Sequence, residues 1–222
     1  IHNQLQGADL VLSEDAEMHY GVNTDAMISG RACTLGYTPK ILGPYFLENF
    51  KETVSLDDVR QGAFQVIVGG DAYGSGSSRE VAVVAHQGAG IKLVVARSFQ
   101  RIFQENMVYA GMPFTTDYAV LDRLRAGEEV DVSTFYDELP PFFYQVATAG
   151  GLLPYGNAWL RGEVEPWYET GGAPRAMNVV EKIVATKAWA GGQPGVDARY
   201  GISAVGPGDQ ILCRAGFRGM HE

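Results

Sequence analysis

The sequence predicts an α/β fold with a mostly parallel sheet, and three observations carry this prediction. An apolar, β-branched segment, Phe64–Val68, precedes a glycine-rich turn, and a helix-forming stretch with several alanines and valines follows at Arg79–Gln87. A second apolar segment, Ile91–Ala96, comes next, and a third, Met112–Phe114, lies beyond another helical stretch. Strands that alternate with helices at this spacing are typical of parallel crossover units.

Composition narrows the class of protein. The chain has 222 residues, of which 46% are hydrophobic, which is enough for one sizeable core and a small second unit. Its 26 acidic and 17 basic residues give a net charge of −9, which argues against a nucleic-acid partner. No apolar run is long enough to span a membrane and no signal peptide is evident, so no membrane partner and a cytoplasmic location are predicted. Cys33 and Cys213 lie far apart, so neither a disulfide scaffold nor a complete metal site is expected.

The residues before the first of these strands predict short covering elements. Ala8–Leu12 predicts an additional strand, and the polar residues that begin at Asn23 predict a capped turn. The stretch Ala32–Pro44 is rich in Gly, Pro and Thr, which predicts a loop. Short helical pieces are predicted at Pro44–Lys51 and Leu56–Arg60.

The glycine-rich turn, Gly70–Glu80, is the main candidate for a functional site. Its glycines allow positive φ angles and a close approach of the backbone to a ligand. Ser77, Ser78 and Arg79 are expected in the first turn of the helix, where free N–H groups and the helix dipole favour a carboxylate or a phosphate. The spacing fits neither the P-loop nor the dinucleotide fingerprint. From spacing alone, an anion site of unknown type and a purely structural turn both remain open.

The next helix is predicted from Ser98, as its N-cap, to Asn106. Its apolar residues recur at helical spacing, which predicts that they belong to the core; they are Phe99, Ile102, Phe103 and Met107. Further along the chain, a helix is predicted at Val120–Arg125, a strand at Glu129–Val132 and a helix at Pro140–Ala149.

The last third of the chain contains a second, shorter pattern. Residues 159–176 combine proline, glycine and charge without periodicity, which predicts a linker. An apolar stripe then predicts a helix; its members are Val179, Val180, Ile183 and Val184. A turn at Gly206–Asp209 precedes a predicted strand, Gln210–Arg214. This tail is too short to form its own core.

Four blocks of the sequence, in order over about residues 8–155, resemble one known family. Gly74–Glu80 resembles the Gly-x-Gly-Ser-Ser-Arg-Glu signature of the aconitase swivel domain, which is also the small subunit of 3-isopropylmalate dehydratase. Asn23–Ala26 with Gly30–Arg31 resembles the family's Asp-Thr-Asp-x-Ile-x-Pro-Gly-Arg element. The remaining two blocks are similar to the family's Ser-Phe-Ala-Arg-Ile-Phe segment and to its small-subunit ending; they lie at Ser98–Pro113 and Pro140–Leu152.

The tail resembles the opening of the family's large, cluster-bearing part at Val180–Ile183, Pro207–Asp209 and His221–Glu222. The resemblance therefore implies a swivelling β/β/α domain followed by a short C-terminal extension. The predicted domains are a swivel domain at residues 1–158, a linker at residues 159–176 and the incomplete beginning of the catalytic domain at residues 177–222.

The resemblance implies a hydro-lyase that dehydrates and rehydrates an isopropylmalate-, citrate- or methylmalate-like hydroxy acid. Ser77 matches the family's catalytic base. Five residues match substrate-binding positions: Gly76, Ser78, Arg79, Arg31 and His221. Three are expected to be structural supports: Asp25, Glu80 and Arg101.

The expected cofactor is a [4Fe–4S] cluster bound by the missing catalytic part, or large subunit, which is the expected protein partner. No metal ligand is assigned in this chain. The sequence departs from the family at Val81, where a histidine is usual, at Ser29, where proline is usual, and at Ala32–Thr34, which replaces residues that help to choose the substrate. Two alternatives are a free-standing phosphate or nucleotide site on the same turn and a non-catalytic anion-binding or assembly module that kept the fold.

Overall fold

The computed structural model describes residues 21–50, 55–61, 63–168 and 172–215. The chain divides into two compact units, Ile1–Leu152 and Leu153–Glu222. The predicted strand Ala8–Leu12 and the candidate site residue His221 lie outside the described residues. None of the helices in the described ranges has the length and apolar character required to cross a bilayer.

The first unit contains a three-stranded parallel sheet. Its strands are β1 (Val66–Gly69), β2 (Leu93–Ala96) and β3 (Phe114–Thr115), in the order β1-β2-β3. The register pairs Val66 with Leu93 and Val94 with Phe114. Two crossover helices connect these strands, α4 (Glu80–Gly88) and α5 (Arg101–Ala110). The predicted α/β class and parallel sheet are confirmed.

Short helices precede the sheet. They are α1 (Thr24–Met27), α2 (Pro39–Leu42) and α3 (Leu56–Gln61), with 3₁₀ turns at Ala32–Thr34 and Gly43–Tyr45. The predicted loop Ala32–Pro44 therefore contains α2, which begins at Pro39 because the fixed φ of proline suits a first helical position. The helix predicted at Leu56–Arg60 is confirmed as α3. The one predicted at Pro44–Lys51 is wrong from Phe46 to Phe50, since Leu47 has φ +59° and its N–H donates to the Met27 carbonyl instead; Lys51 lies outside the described residues.

Two further local predictions are also wrong, each because a short polar side chain has another partner. The predicted strand Glu129–Val132 gives way to a 3₁₀ turn, Val132–Tyr136, where the Asp131 side chain accepts from the Ser133 N–H as the N-cap. Ser98 is not the N-cap of α5; Gln100 holds that position, and the Ser98 hydroxyl accepts from the Ala72 N–H. The unit ends with α6 (Ala119–Arg125) and α7 (Pro141–Thr148).

The core lies on both faces of β2. On one face, side chains of α6 pack against the strand in a cluster that comprises Leu93, Val95, Val120, Leu121 and Leu124. Of the residues predicted as core on α5, Phe103 and Met107 are buried, whereas Ile102 is 43% exposed and Phe99 is only half-buried. Helix α4 crosses α2 so closely that glycines are required at the contact, Gly43 and Gly88.

The second unit is small. It contains most of α8 (Leu152–Leu160), then α9 (Val179–Lys187) and an antiparallel pair, β4 (Trp189–Gly191) and β5 (Arg199–Tyr200). Asn178 and Glu181 form a capping box at the start of α9, which is the helix predicted there. The predicted linker overlaps the end of α8, and the predicted strand Gln210–Arg214 is reduced to one bridge between Ala188 and Cys213. The assignment of residues 177–222 to a catalytic domain stays a prediction.

Candidate active site

The glycine-rich loop, Gly70–Arg79, is fixed on one side by the segment that precedes α1. The Gly74 N–H donates to the Val22 carbonyl at 2.9 Å, and the Thr24 N–H donates to the Ser75 carbonyl at 2.8 Å. The Ser75 hydroxyl adds a bond to the Gly21 carbonyl. Two motifs that lie about fifty residues apart in the sequence are therefore adjacent in the fold.

The other side of the loop is fixed by the turn that precedes α5. The Tyr73 N–H donates to the Ser98 carbonyl, and the Gln100 N–H donates to the Tyr73 carbonyl, both at 3.0 Å. Gly74 has φ +78°, and a Cβ built on it would lie 2.1 Å from the Phe103 ring, so only glycine fits there. The loop passes directly over the N-terminal half of α5.

The two serines of the signature precede α4 rather than lying in its first turn. The helix begins at Glu80, with Arg79 as N-cap, because Arg79 still has extended backbone angles. Ser77 is half-buried, and its carbonyl accepts from the Thr24 hydroxyl at 2.9 Å. No partner for the hydroxyl of Ser77 or of the exposed Ser78 is found among the described residues. No side chain caps α4, and within its first turn the Ala82 N–H donates to the Arg79 carbonyl at 3.1 Å.

Arg79 connects the loop to α1 and to the residue after it. Its Nη1 atom donates to the Ile28 carbonyl at 3.0 Å and forms an ion pair with Asp25. The arginine side chain is 20% exposed, so it is partly accessible to solvent. A Cβ on Gly30 would lie 3.5 Å from Nη2, which shows how closely the backbone passes this side chain. Asp25 thereby fixes the direction of Arg79.

The remaining candidates differ in their surroundings. Arg31 is exposed at the start of the 3₁₀ turn after α1, and Glu80 is exposed in the first turn of α4. The Arg101 side chain is 81% exposed and forms an ion pair at 3.0 Å with Glu105, one turn further along α5. This ion pair lies within a single helix. The structure brings together Asp25, Gly76, Ser77 and Arg79 but does not join Arg101 to them by a direct bond.

The described residues do not fit an iron–sulfur cluster. The half-buried Cys33 donates its S–H to the Ser29 carbonyl at 3.3 Å, and Cys213 lies exposed in the second unit. Across the described ranges, no three His, Cys, Asp or Glu side chains are grouped so that they could hold a metal ion. No chemical step is therefore assigned to a metal within this chain.

A buried polar pair beneath the loop was not anticipated from the sequence. The Tyr73 hydroxyl lies 2.9 Å from Nε2 of His86, and Nδ1 of His86 lies 2.7 Å from the Ala82 carbonyl. His86 is fully buried on α4, against the rings of Phe46 and Phe103. The signal for this pair in the sequence is the single histidine among the valines and alanines of α4.

This pair predicts a loss of stability in mild acid. Burial lowers the pKa of His86 to about 4, and the bond to Ala82 offsets this only in part. Because the folded state resists protonation, the unfolded state binds more protons between pH 6.5 and 4, and stability falls as the pH decreases through that range. We expect urea denaturation to show a loss of about 2 kcal/mol between pH 7 and pH 5 from this group.

The matched control is the double variant Tyr73→Phe, His86→Leu, which keeps every carboxylate of the chain but removes the titrating imidazole. Its stability should change less between the same two pH values. An equal change in the two proteins would contradict the assignment to His86.

The amino-acid sequence of this chain is similar to those of several known proteins. The Aconitase C-terminal domain family matches residues 49–116. The chain is 33% identical over 153 residues to the isopropylmalate/citramalate isomerase small subunit of Methanocaldococcus jannaschii, a match that covers 60% of this chain and 86% of the relative. It is 34% identical to the 3-isopropylmalate dehydratase small subunit of Moorella thermoacetica, over 60% of this chain and 87% of that subunit.

The crystal structure of 3-isopropylmalate dehydratase from M. jannaschii aligns with a TM-score of 0.44 and 28% identity, covering 61% of this chain and 86% of the other. An aconitase of Alternaria alternata is 42% identical over 113 residues, which cover 50% of this chain and 13% of that protein. The chain belongs to the aconitase family, and within it to the group of swivel domains and 3-isopropylmalate dehydratase small subunits.

Proposed function

We propose that this chain is the swivel component of an aconitase-type hydro-lyase that removes water from a hydroxy di- or tricarboxylic acid and adds it back. The observation that carries the proposal is the position of Ser77 just before Arg79 at the start of α4, which no side chain caps; the Ser77 hydroxyl has no partner among the described residues. The names of the relatives, which are dehydratase and isomerase small subunits, support the same class of substrate.

In this proposal Ser77 is the base that takes a proton from the carbon next to a substrate carboxylate. A serine hydroxyl is a weak base at its ordinary pKa, so its alkoxide must be stabilised by the surroundings. In this proposal such stabilisation comes from the start of α4, which no side chain caps, from the positive end of the helix dipole and from the Arg79 guanidinium. The Thr24 hydroxyl holds the Ser77 carbonyl, which fixes the backbone from which the base projects.

Arg79 and the neighbouring loop would hold the substrate carboxylates. One nitrogen of the guanidinium is engaged by Ile28 and Asp25, so the solvent-facing edge remains for a carboxylate. We assign the Gly76 backbone and the side chains of Ser78, Arg31 and His221 to substrate contacts. Asp25 supports Arg79 directly, whereas Glu80 and Arg101 have supporting roles without substrate contact.

The complete enzyme requires a second, cluster-bearing component. Departure of hydroxide needs a Lewis acid, and we assign it to the [4Fe–4S] cluster of the family's catalytic part, since the described residues of this chain do not fit a cluster. We expect this chain alone to be colourless and inactive.

Reconstitution tests the proposal. This chain is mixed or fused with a cluster-bearing large subunit, and hydration of unsaturated citrate-, isopropylmalate- and methylmalate-like acids is followed by the loss of their ultraviolet absorbance. Activity that requires both components supports the proposal. A stoichiometric iron–sulfur spectrum in the isolated chain, or tight binding of nucleotides in place of hydroxy acids, would refute it.

Substrate choice is expected to depend on the loop Ala32–Pro44. It follows Arg31 directly and presents three exposed apolar side chains, those of Leu35, Tyr37 and Ile41. Exchange for the corresponding loop of a relative with known preference should change kcat/KM for one acid relative to another by about 10-fold or more, the range typical of contacts to a small apolar group. An equal loss for all acids would mean that the loop is only structural.

A further inference from the structure

We propose that the hydrogen bond between Tyr73 and His86 is an anchor that holds the glycine-rich loop against α4. His86 is then a positioning residue for the candidate active site. The inference deepens the proposed function and rests on it for its catalytic consequence. Its structural part concerns this chain alone.

The hydrogen bonds assign the roles of both ring nitrogens. The Ala82 carbonyl can only accept, so Nδ1 of His86 carries the proton and Nε2 is left as an acceptor. The Tyr73 hydroxyl therefore donates to Nε2 across 2.9 Å. Both side chains are buried, and burial raises the pKa of Tyr73 while it lowers that of His86. The pair is neutral, and each partner satisfies the other.

Tyr73 is the point at which the loop enters the core. Its ring packs edge-on against Phe99 and Phe103, with centroid distances of 6.2 and 5.7 Å, while its backbone bonds to the turn before α5. The residue before it, Ala72, has φ +55°, which an L-residue adopts only when its surroundings hold it there. The loop reaches Ser77 four residues later, so a displacement of Tyr73 moves the backbone that carries the proposed base.

The surroundings of His86 leave the loop as the part that must yield if the pair is broken. The imidazole contacts the aromatic rings of Phe46 and Phe103 and the hydroxyl of Tyr73. The pKa of His86 is shifted by burial and by the bond to Ala82, and no nearby charge contributes. The titratable side chains on α4 and on the elements packed against it are Glu80, Asp25, Lys40, Tyr45, Arg101, Glu105 and Tyr109. If the imidazole loses its hydrogen-bond partner or becomes charged, it requires contact with water. Outward movement of the glycine-rich loop is the easiest way to provide that contact.

Amide hydrogen exchange on this chain tests the anchor. The reporters are the amides at positions 73 and 74, which are hydrogen-bonded to Ser98 and Val22, and the reference is the Val94 amide in β2, bonded to Pro113. Tyr73→Phe leaves Nε2 without a donor, and His86→Leu leaves the tyrosine hydroxyl without an acceptor. Each single variant should exchange at least about 10-fold faster at the reporters, and by a larger factor than at Val94. The double variant replaces both polar partners and should return to within about 3-fold of the wild type.

Three results would overturn the anchor: unchanged reporters in the single variants, equal acceleration at Val94, or a double variant as fast as the singles. If a single variant does not fold, the pH dependence of amide exchange in the wild type tests the anchor instead. After correction for intrinsic rates, its reporters should open about 10-fold more at pH 5 than at pH 7, because the opened imidazole takes up a proton, whereas those of the double variant should change less. No such difference would also overturn the proposal.

The catalytic consequence is measured in the reconstituted enzyme. Each single variant should lower kcat more than it raises KM, and the double variant should recover most of the loss. Faster loop exchange with unchanged kcat would overturn the positioning role of His86. Absence of activity in the wild-type complex would refute the proposed function, while the exchange result on the isolated chain would stand.

Discussion

Replacing Ser77 by alanine in the reconstituted enzyme should lower kcat by about 10²–10⁴-fold, the usual effect of removing a positioned base. The substitution removes one oxygen atom from a half-buried side chain whose hydroxyl has no partner among the described residues. Folding and substrate binding should therefore persist, and KM should change much less than kcat. Steady-state hydration kinetics provide the measurement. A kcat close to that of the wild type would remove Ser77 from the mechanism.

Two further variants separate the base from general effects. Arg79→Lys keeps the positive charge but loses the planar fork that contacts Ile28 and Asp25, so it should raise KM, with a smaller effect on kcat. Ser133→Ala removes the hydroxyl of another half-buried serine, whose bond among the described residues is to Asp131 at the start of its own 3₁₀ turn, and both constants should be unchanged. If Ser133→Ala and Ser77→Ala lost activity equally, a loss of protein quality would explain both.

Gly88→Ala should destabilise the first unit by about 2–3 kcal/mol, in the range of overpacked cores. A Cβ at this position would lie 2.1 Å from the Pro39 carbonyl oxygen and 2.6 Å from the Gly43 Cα. Both neighbours are backbone atoms of the α2 region, so no side chain can rotate away, and α2 and α4 must separate. Urea denaturation at neutral pH measures the loss.

Gly156→Ala is the matched control. Gly156 is also helical, in α8, but a Cβ there would meet nothing within 4 Å. Alanine should therefore stabilise by up to about 1 kcal/mol through its helix propensity. A similar loss in the two variants would mean that close packing between α2 and α4 is not the cause.

The sequence itself determined the fold class and the order of the main elements. The apolar runs that became β1 and β2 are bounded by glycine-rich turns, and α4 and α5 carry helix formers with an apolar face, so local propensity and hydrophobic pattern agree. The signature Gly74–Glu80 could be placed between a strand and a helix for the same reason, so the sequence was sufficient to locate the candidate site.

The tertiary structure decided what short polar residues do. Ser98 was expected to cap a helix and instead accepts from Ala72, and Asp131 ends an expected strand by capping a 3₁₀ turn. Serine and aspartate bond equally well to several nearby backbone groups, so the choice depends on which segment packs beside them. The ion pair between Asp25 and Arg79 and the bond between Tyr73 and His86 likewise join residues that only the packing of α1, α4 and the glycine-rich loop brings together. Hydrophobic periodicity depends on neighbours in the chain and is visible in the sequence, whereas these contacts depend on distances in space that the sequence does not contain.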